Sequence, residues 1–192
     1  MKYMRDFIGE FTERKTFTLR DVRIYLSDKK ISKDYLRVFI HNLLKKGKIK
    51  RITKGVYTFM DEVEVVGFAF SPFYYGLQEA LSLRNLWEQE TNPIVITPRK
   101  VRSGLRVFQG RNFLVKKINR KMFFGFEMIK YYDFWIPVSD IEKTLIDFVY
   151  FRQPLSKEVV TEMKKKIRPK IMKQYLVRCP KYLSKRVKNL LK

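Results

Sequence analysis

Apolar residues in the first third of the chain follow helical spacing before they follow strand spacing. The clearest helical stretch begins after Ser32, and its apolar residues recur at intervals of three and four. These residues are Leu36, Phe39, Ile40, Leu43 and Leu44. Ser32 is a common N-cap residue, and Gly47 is a residue type that often ends a helix. The pattern therefore predicts an amphipathic helix between Ser32 and Gly47.

A shorter helix is predicted just before it. Thr18 and Asp21 have the spacing of a capping box, in which Asp takes the place of the usual Glu or Gln. Val22, Tyr25 and Leu26 then give this helix an apolar face. We therefore expect two successive helices over this part of the chain.

The residues after Gly47 favour a β-hairpin. Residues 48–53 and 56–59 are rich in β-branched and aromatic side chains, and Lys54-Gly55 between them suits a tight turn. Two helices followed by a basic hairpin are typical of a winged helix-turn-helix, a domain that binds duplex DNA.

Basic side chains are placed where such a domain contacts DNA. On the longer helix they recur every four residues, on the face opposite the apolar stripe, and more of them lie on the hairpin. In this domain the helix reads base edges in the major groove, and basic residues contact phosphates. We predict DNA contacts from Lys33, Arg37, His41, Lys45, Lys48, Lys50, Arg51 and Lys54. The alternative is a solvated basic face without a partner.

Charge is concentrated at the two ends of the 192-residue chain. The formal net charge is +23, of which residues 1–60 carry +10, residues 61–153 carry +2 and residues 154–192 carry +11. Such a charge favours polyanions and makes binding salt-dependent, but alone it does not separate DNA from RNA or an anionic membrane.

Other classes of protein are disfavoured by simple counts. Cys179 is the only cysteine and His41 the only histidine, which argues against an intrachain disulfide and a cysteine-based zinc site. No apolar run approaches the roughly 20 residues that span a bilayer, and acidic residues interrupt the N-terminus. We expect a cytoplasmic protein with no cofactor, no bound metal and no membrane association.

The remaining pattern predicts a mixed α+β fold. We divide the chain into a winged helix-turn-helix domain over 1–62, an α+β domain over 63–153 and a basic helical segment over 154–192. A helix is expected to begin at Ser71-Pro72, and another to be capped by Ser139 or Asp140. Strands are expected over 94–97, 105–107, 113–115, 122–127 and 134–138.

The basic C-terminal segment is open to several interpretations. Pro169 and Pro180 each suit a helix start, and the last helix has an apolar side opposite four lysines. These are Lys181, Lys185, Lys188 and Lys192. The lysines suit a second phosphate contact surface, a docking surface for an acidic protein, or a solvated cap.

With these motifs in place, residues 5–153 resemble the AbiEi family, the antitoxins of type IV toxin-antitoxin systems. The resemblance rests on the winged helix ending in Lys54-Gly55-Val56-Tyr57, on the segment 71–81, on the strand 94–97 and on the segment 138–147. Within the last segment, Glu142-Lys143 followed by Leu145 and Asp147 is the most characteristic part.

The resemblance implies a DNA-binding repressor of its own operon that counteracts a nucleotidyltransferase toxin encoded beside it. It also implies operator DNA as a partner, read from the helix and the hairpin, with binding as a dimer common for such repressors. A related alternative is a stand-alone winged-helix regulator whose C-terminal domain senses a ligand or a partner.

We predict no enzymatic activity, although a metal-dependent DNA nuclease is an alternative. Its metal would be held by carboxylates among Glu127, Asp133, Asp140 and Glu142, with Lys143 nearby. The usual nuclease spacing of a carboxylate, one residue and a lysine is missing. For Glu142, Lys143 and Asp147 we therefore favour a structural role, with Lys143 and Asp147 paired one helical turn apart.

Overall fold

A computed structural model describes residues 3–29, 31–89 and 91–191 of the chain. It divides into two compact units, one formed by residues 1–69 with 107–111 and the other by residues 70–106 with 112–192. Helices and strands both contribute to the fold, so the predicted mixed α+β class is confirmed.

The first unit combines a helical layer with a small antiparallel sheet. Its elements are α1 (Met4–Phe11), β1 (Phe17–Thr18), α2 (Leu19–Tyr25), α3 (Lys33–Lys45), β2 (Lys50–Thr53) and β3 (Val56–Thr58). Strand β3 pairs with both other strands, which gives the order β1-β3-β2. The element order helix, helix, hairpin that the sequence predicted is therefore present.

Local hydrogen bonds explain where α2 and α3 begin and end. The Thr18 hydroxyl accepts a hydrogen bond from the Asp21 amide at 3.2 Å, and the Asp21 carboxylate accepts one from the Thr18 amide at 2.7 Å. The predicted capping box is thus confirmed. Ser32 likewise caps α3, and Gly47 follows its end with a φ of +65°.

An aromatic cluster forms the core of the first unit. Phe7 and Phe11 of α1 are fully buried and contact each other and Phe17. Phe39 of α3 meets Phe7 edge-on, with 5.2 Å between ring centroids. Helix α1 was not predicted, although its apolar residues have the helical spacing i, i+3, i+4 and i+7 from Met4.

The second unit is built on a mixed sheet with helices packed against it. The elements are β4 (Tyr74–Tyr75), α4 (Gln78–Ser82), β5 (Ile94–Thr97), β6 (Gly104–Phe108), β7 (Arg111–Lys117), β8 (Phe126–Tyr131), β9 (Phe134–Ser139), α5 (Ile141–Tyr150), α6 (Lys157–Lys166), α7 (Pro169–Arg178) and α8 (Lys181–Leu191). The sheet order is β6-β7-β5-β4-β9-β8, and residues 107–111 at the turn from β6 to β7 are grouped with the first unit. Strand β4 runs antiparallel to β5 and parallel to β9.

Two sequence predictions in this unit are wrong. The helix expected to begin at Ser71-Pro72 is replaced by strand β4, and α4 begins only at Gln78. A proline that suits a helix start also suits a turn before a strand, and the adjacent tyrosines favour the strand. The strand expected over 122–127 begins instead at Phe126, because Gly125 turns the chain with a φ of +70°.

Helices α6, α7 and α8 belong to the second unit. Helix α5 packs against all three, and buried residues such as Met163, Met172 and Leu183 join the same apolar core as Leu145 and Phe148 of α5. The segment that the sequence set apart as 154–192 is therefore continuous with the core of 70–153. In the part of the chain that the structure describes, none of the helices has the length and apolar character needed to cross a bilayer.

Candidate nucleic-acid interface

Helix α3 turns its apolar stripe inward and its basic row outward. Leu36, Phe39, Ile40 and Leu43 are buried in the first core. The opposite face exposes the four residues predicted on this helix to contact DNA, which are Lys33, Arg37, His41 and Lys45. Their exposure follows from the periodicity of the helix, because residues three or four apart share a face.

Arg37 forms a weak, exposed ion pair. Its Nη1 atom lies 3.1 Å from Asp34 Oδ1 on the same helix, and these side chains are 70% and 86% exposed. An exposed pair of this kind contributes at most about 1 kcal/mol. The pair with Asp34 therefore costs little to break, and the guanidinium of Arg37 is accessible to another acceptor.

Val38 lies beside Arg37 and was missed as a candidate contact. Its side chain is 57% exposed in an otherwise polar row. An apolar side chain at this place is suited to contact the methyl group of thymine in the major groove. The signal was present in the sequence, since Val38 falls outside the spacing of the buried positions around it.

Further basic residues of α2 face the start of α3. Arg20 and Arg23 line a cleft of about 320 Å³ together with Lys33 and Arg37. In a helix-turn-helix, the first helix crosses the phosphate backbone while the second enters the groove. Arg20 and Arg23 were not predicted, because only the fold brings them next to the basic row of α3.

The hairpin separates the predicted basic residues into two groups. Lys48, Arg51 and Lys54 are exposed. The side chain of Lys50 is only 15% exposed; its Nζ donates to the Phe59 carbonyl at 2.9 Å and lies 2.8 Å from the Asp61 carboxylate. Successive strand residues point to opposite sides, so Arg51 faces outward where Lys50 does not. The structure thus gives Lys50 a role in fixing the chain after the hairpin.

In the second unit, the carboxylates of Asp140 and Asp147 accept hydrogen bonds from other parts of the chain. Asp140 caps α5 by accepting a hydrogen bond from the Lys143 amide at 2.7 Å, and its other oxygen accepts one from the Tyr175 hydroxyl at 2.7 Å. Asp147 accepts from Lys143 Nζ and, at 2.9 Å, from the Tyr74 hydroxyl. Lys143 and Asp147 are both fully buried.

Glu142 is held from one side by Arg168. Its carboxylate accepts hydrogen bonds from the backbone amide of Arg168 at 2.6 Å and from its guanidinium at 2.9 and 3.1 Å. Burial alone would raise the pKa of Glu142, but the Arg168 contacts outweigh it and hold that pKa below its ordinary value of 4.5. Glu142 is fully buried, so it serves to join α5 to the start of α7.

Burial of Lys143 and Asp147 disfavours the charged form of each side chain. Loss of water raises the pKa of Asp147 and lowers the pKa of Lys143, while each charge offsets the change in the other. The Lys143 ammonium also lies 5.2 Å from the centre of the Phe124 ring and 5.3 Å from that of Tyr74. These contacts satisfy both side chains inside the core and leave neither open to a substrate.

The other carboxylates of the nuclease alternative lie apart from this cluster. Glu127 of β8 pairs with Arg84 at 2.8 Å, and Asp133 is exposed at the turn between β8 and β9. Within residues 3–29, 31–89 and 91–191, no group of three or more acidic, histidine or cysteine side chains is arranged to hold a metal ion. The structure therefore brings together a structural cluster around α5 and leaves these two carboxylates outside it.

Comparisons with known proteins concern the fold alone. No family model and no curated protein matches this sequence. Among solved structures, the chain is similar to the Rv2827c protein from Mycobacterium tuberculosis, with a TM-score of 0.66 and 11% sequence identity. The match covers 100% of this chain and 76% of that one. The arrangement of helices and sheets described above is therefore shared with a protein of very different sequence.

Proposed function

We propose that this protein is a DNA-binding transcriptional repressor of the winged helix-turn-helix type. The outward basic row of α3 carries this proposal. It lies on the exposed face of a helix whose other face is buried, it begins at a basic cleft formed with α2, and it is followed by a hairpin with exposed basic residues. A helix that reads bases, flanked by groups that bind phosphates, is the general requirement for sequence-specific recognition.

Residues of the interface divide by the kind of contact they make. Arg37, Val38 and His41 occupy the middle of the outward face of α3 and read base edges. Lys54 at the hairpin turn, with Arg51 and Lys48, binds phosphates. Lys50 contributes through the position of the hairpin, because its ammonium group already binds Asp61 and Phe59.

Fluorescence anisotropy with two duplexes tests this division. One duplex is taken from the DNA upstream of the gene, and the other has random sequence. Arg37→Ala or His41→Ala is expected to reduce the preference for upstream DNA by about 1–3 kcal/mol. Lys54→Ala is expected to weaken both complexes equally and to lower the salt slope by about one.

Arg5→Ala provides a matched control, since Arg5 is an exposed residue of α1 outside the interface. Its affinity for both duplexes should equal that of the unmodified protein. Equal losses on both duplexes for Arg37, His41 and Lys54 would remove the assignment of base contacts. The absence of any preference for upstream DNA at moderate salt would remove the repressor role.

The resemblance to AbiEi antitoxins extends the proposal to a second activity. In this proposal the cytoplasmic protein also counteracts a nucleotidyltransferase toxin, and the second unit supplies that activity without chemistry of its own. The support is the motif of α5, whose charged residues join three parts of the unit. Expression of the neighbouring gene with and without this protein tests it: growth should stop without the protein and recover with it.

A neighbouring gene that encodes no nucleotidyltransferase, or a toxin whose effect this protein leaves unchanged, would contradict the antitoxin activity. The DNA-binding proposal would remain, in the form of a stand-alone regulator. The two activities are thus tested by separate measurements.

A further inference from the structure

A broad groove lies between the C-terminal helices of the second unit. It has a volume of about 1,100 Å³ and is lined by residues of α6, α7 and α8 and by the turns between them. Its surface is mainly apolar, and we call the buried Met172 and Leu176 with the half-buried Ile167 the base of the groove. Val177 of α7 also lines the groove and is 82% exposed. We call this feature the α6–α8 groove.

Lysines surround this apolar surface. They come from α6, from α7 and, at intervals of four and three residues, from α8. These are Lys164, Lys173, Lys181, Lys185 and Lys188. All five are exposed, and no acidic side chain lines the groove.

The charge of this rim is not compensated from within the described part of the chain. Residues 154–192 contain only two acidic residues, Glu158 and Glu162, and both lie on α6. Glu162 pairs with Lys165, which lies outside the groove. The lysines at 181 and 185 are one turn apart on α8, and like charges at that spacing destabilise a helix by a few tenths of a kcal/mol. The rim therefore favours an anionic partner.

We propose that the α6–α8 groove docks an acidic amphipathic helix of a partner protein. Apolar side chains on one face of that helix contact the base of the groove, and carboxylates on its flanks pair with the lysine rim. A helix in an apolar groove is a recurrent mode of protein recognition. This surface lies entirely in the second unit, so its role goes beyond the proposed DNA binding and does not depend on it.

The apolar base distinguishes this partner from others that lysines attract. Duplex DNA presents phosphates and sugars to a basic surface and gains little from a concave apolar floor. Small-molecule sites usually have volumes of about 300–1,000 Å³ and enclose most of their ligand. The α6–α8 groove, at about 1,100 Å³, lies at the upper end of that range, and its side chains include the 82% exposed Val177, so it does not enclose a ligand in this way. Its combination of an apolar base and a cationic rim matches a helix with one apolar and two acidic faces.

A synthetic peptide measures this docking directly. The probe is a fluorescein-labelled helix of about 15 residues, with leucines at helical spacing on one face and glutamates on both flanks. Full-length protein should raise its anisotropy. A scrambled peptide of the same composition, which has no continuous apolar face, should bind at least about tenfold more weakly, which is 1.4 kcal/mol.

Substitutions of exposed residues test whether the peptide binds in the groove, and they leave the core unchanged. Val177→Glu places a carboxylate in the groove and should weaken binding at least about tenfold. Tyr182→Glu is the matched control, because Tyr182 lies on α8, is 62% exposed and is outside the groove. The double change Lys181→Glu with Lys185→Glu should also weaken binding. The same change at Lys166 and Lys170, which do not line the groove, should have little effect.

Exchange of charges between the peptide and the groove tests whether the lysines pair with the glutamates of the peptide. A peptide with lysines in place of its glutamates should bind poorly to the unmodified protein and recover affinity for the Lys181→Glu, Lys185→Glu variant. Lack of peptide binding, equal binding of the scrambled peptide, or equal losses in the Tyr182→Glu control would overturn the proposal. So would a loss of DNA or anionic-vesicle binding in the rim variant combined with unchanged peptide binding. Lys192 lies outside the described residues and is not part of these tests.

Discussion

Arg168 neutralises a carboxylate that has no access to water. Glu142 is fully buried, and its carboxylate accepts hydrogen bonds from the backbone and guanidinium of Arg168 and from its own backbone amide. A buried charge without a counterion is strongly unfavourable, so the removal of Arg168 affects more than one contact. The half-exposed guanidinium itself loses little by this pairing, since it stays partly hydrated.

We expect Arg168→Met to lower the free energy of unfolding by about 2–3 kcal/mol, because it leaves the Glu142 carboxylate with backbone amides alone and no positive charge. Lys170→Met on the same helix is the control and should change stability by less than about 0.5 kcal/mol. Urea unfolding followed by circular dichroism measures both. Equal stability of the two variants would show that the pair contributes nothing to folding.

Gly125 makes room for the α5 cluster. A Cβ atom placed there would lie 2.8 Å from the Cβ of Lys143 and 2.8 Å from the ring of Tyr175. Its φ of +70° also disfavours any side chain. The glycine is therefore required both by the turn into β8 and by the helix behind it.

Gly125→Ala is expected to destabilise the protein by more than about 3 kcal/mol, since strain of the backbone adds to overpacking. Gly110→Ala separates the two effects, because Gly110 has a φ of +76° with nothing within 4 Å of an added Cβ. That variant should lose only about 1 kcal/mol. Thermal unfolding of the Gly125→Ala and Gly110→Ala variants provides the measurement. A similar melting temperature for both would exclude a steric role for Lys143 and Tyr175.

Helices α2 and α3 both contribute side chains to the basic cleft. Arg20 and Arg23 come from one helix and Lys33 and Arg37 from the next, so neither helix forms the cleft alone. Periodicity placed the α3 residues correctly on an outward face, because exposure follows from the spacing of apolar residues within one helix. The two arginines of α2 were missed, because their proximity to α3 depends on how the helices pack.

The double variant Arg20→Ala, Arg23→Ala is expected to weaken upstream and random DNA to the same extent. The number of released counterions should fall by about two, which lowers the slope of log affinity against log salt by nearly two. The measurement is anisotropy over a series of salt concentrations, with Arg5→Ala as control. An unchanged slope would place the phosphate backbone elsewhere on the first unit.

The stability of the whole molecule in acid depends in part on Glu142. The pKa of this group is lower in the folded protein than its ordinary value of 4.5. It therefore stabilises the fold above that value and loses this effect as the pH falls through its folded pKa. Burial raises the pKa values of Asp140 and Asp147, whose contributions have the opposite sign.

Comparison with Glu142→Gln isolates this contribution. At about pH 7 the unmodified protein should be the more stable of the two, and the difference should shrink as the pH falls below 4.5. Urea unfolding at a series of pH values provides the measurement. A stability difference that stays constant or grows in acid would show that the pKa of Glu142 is not lowered by folding.

The sequence by itself determined the α+β class, the caps and faces of α2 and α3, the hairpin and the outward basic row. These features depend on spacing within about fifteen residues, which the order of residues specifies directly. Only the tertiary structure decided that Tyr74 lies in a strand and donates a hydrogen bond to Asp147, and that the Lys50 ammonium pairs with Asp61. It also decided that residues 154–192 complete the core of the second unit. Those outcomes depend on contacts between distant segments, where packing and burial override local preference.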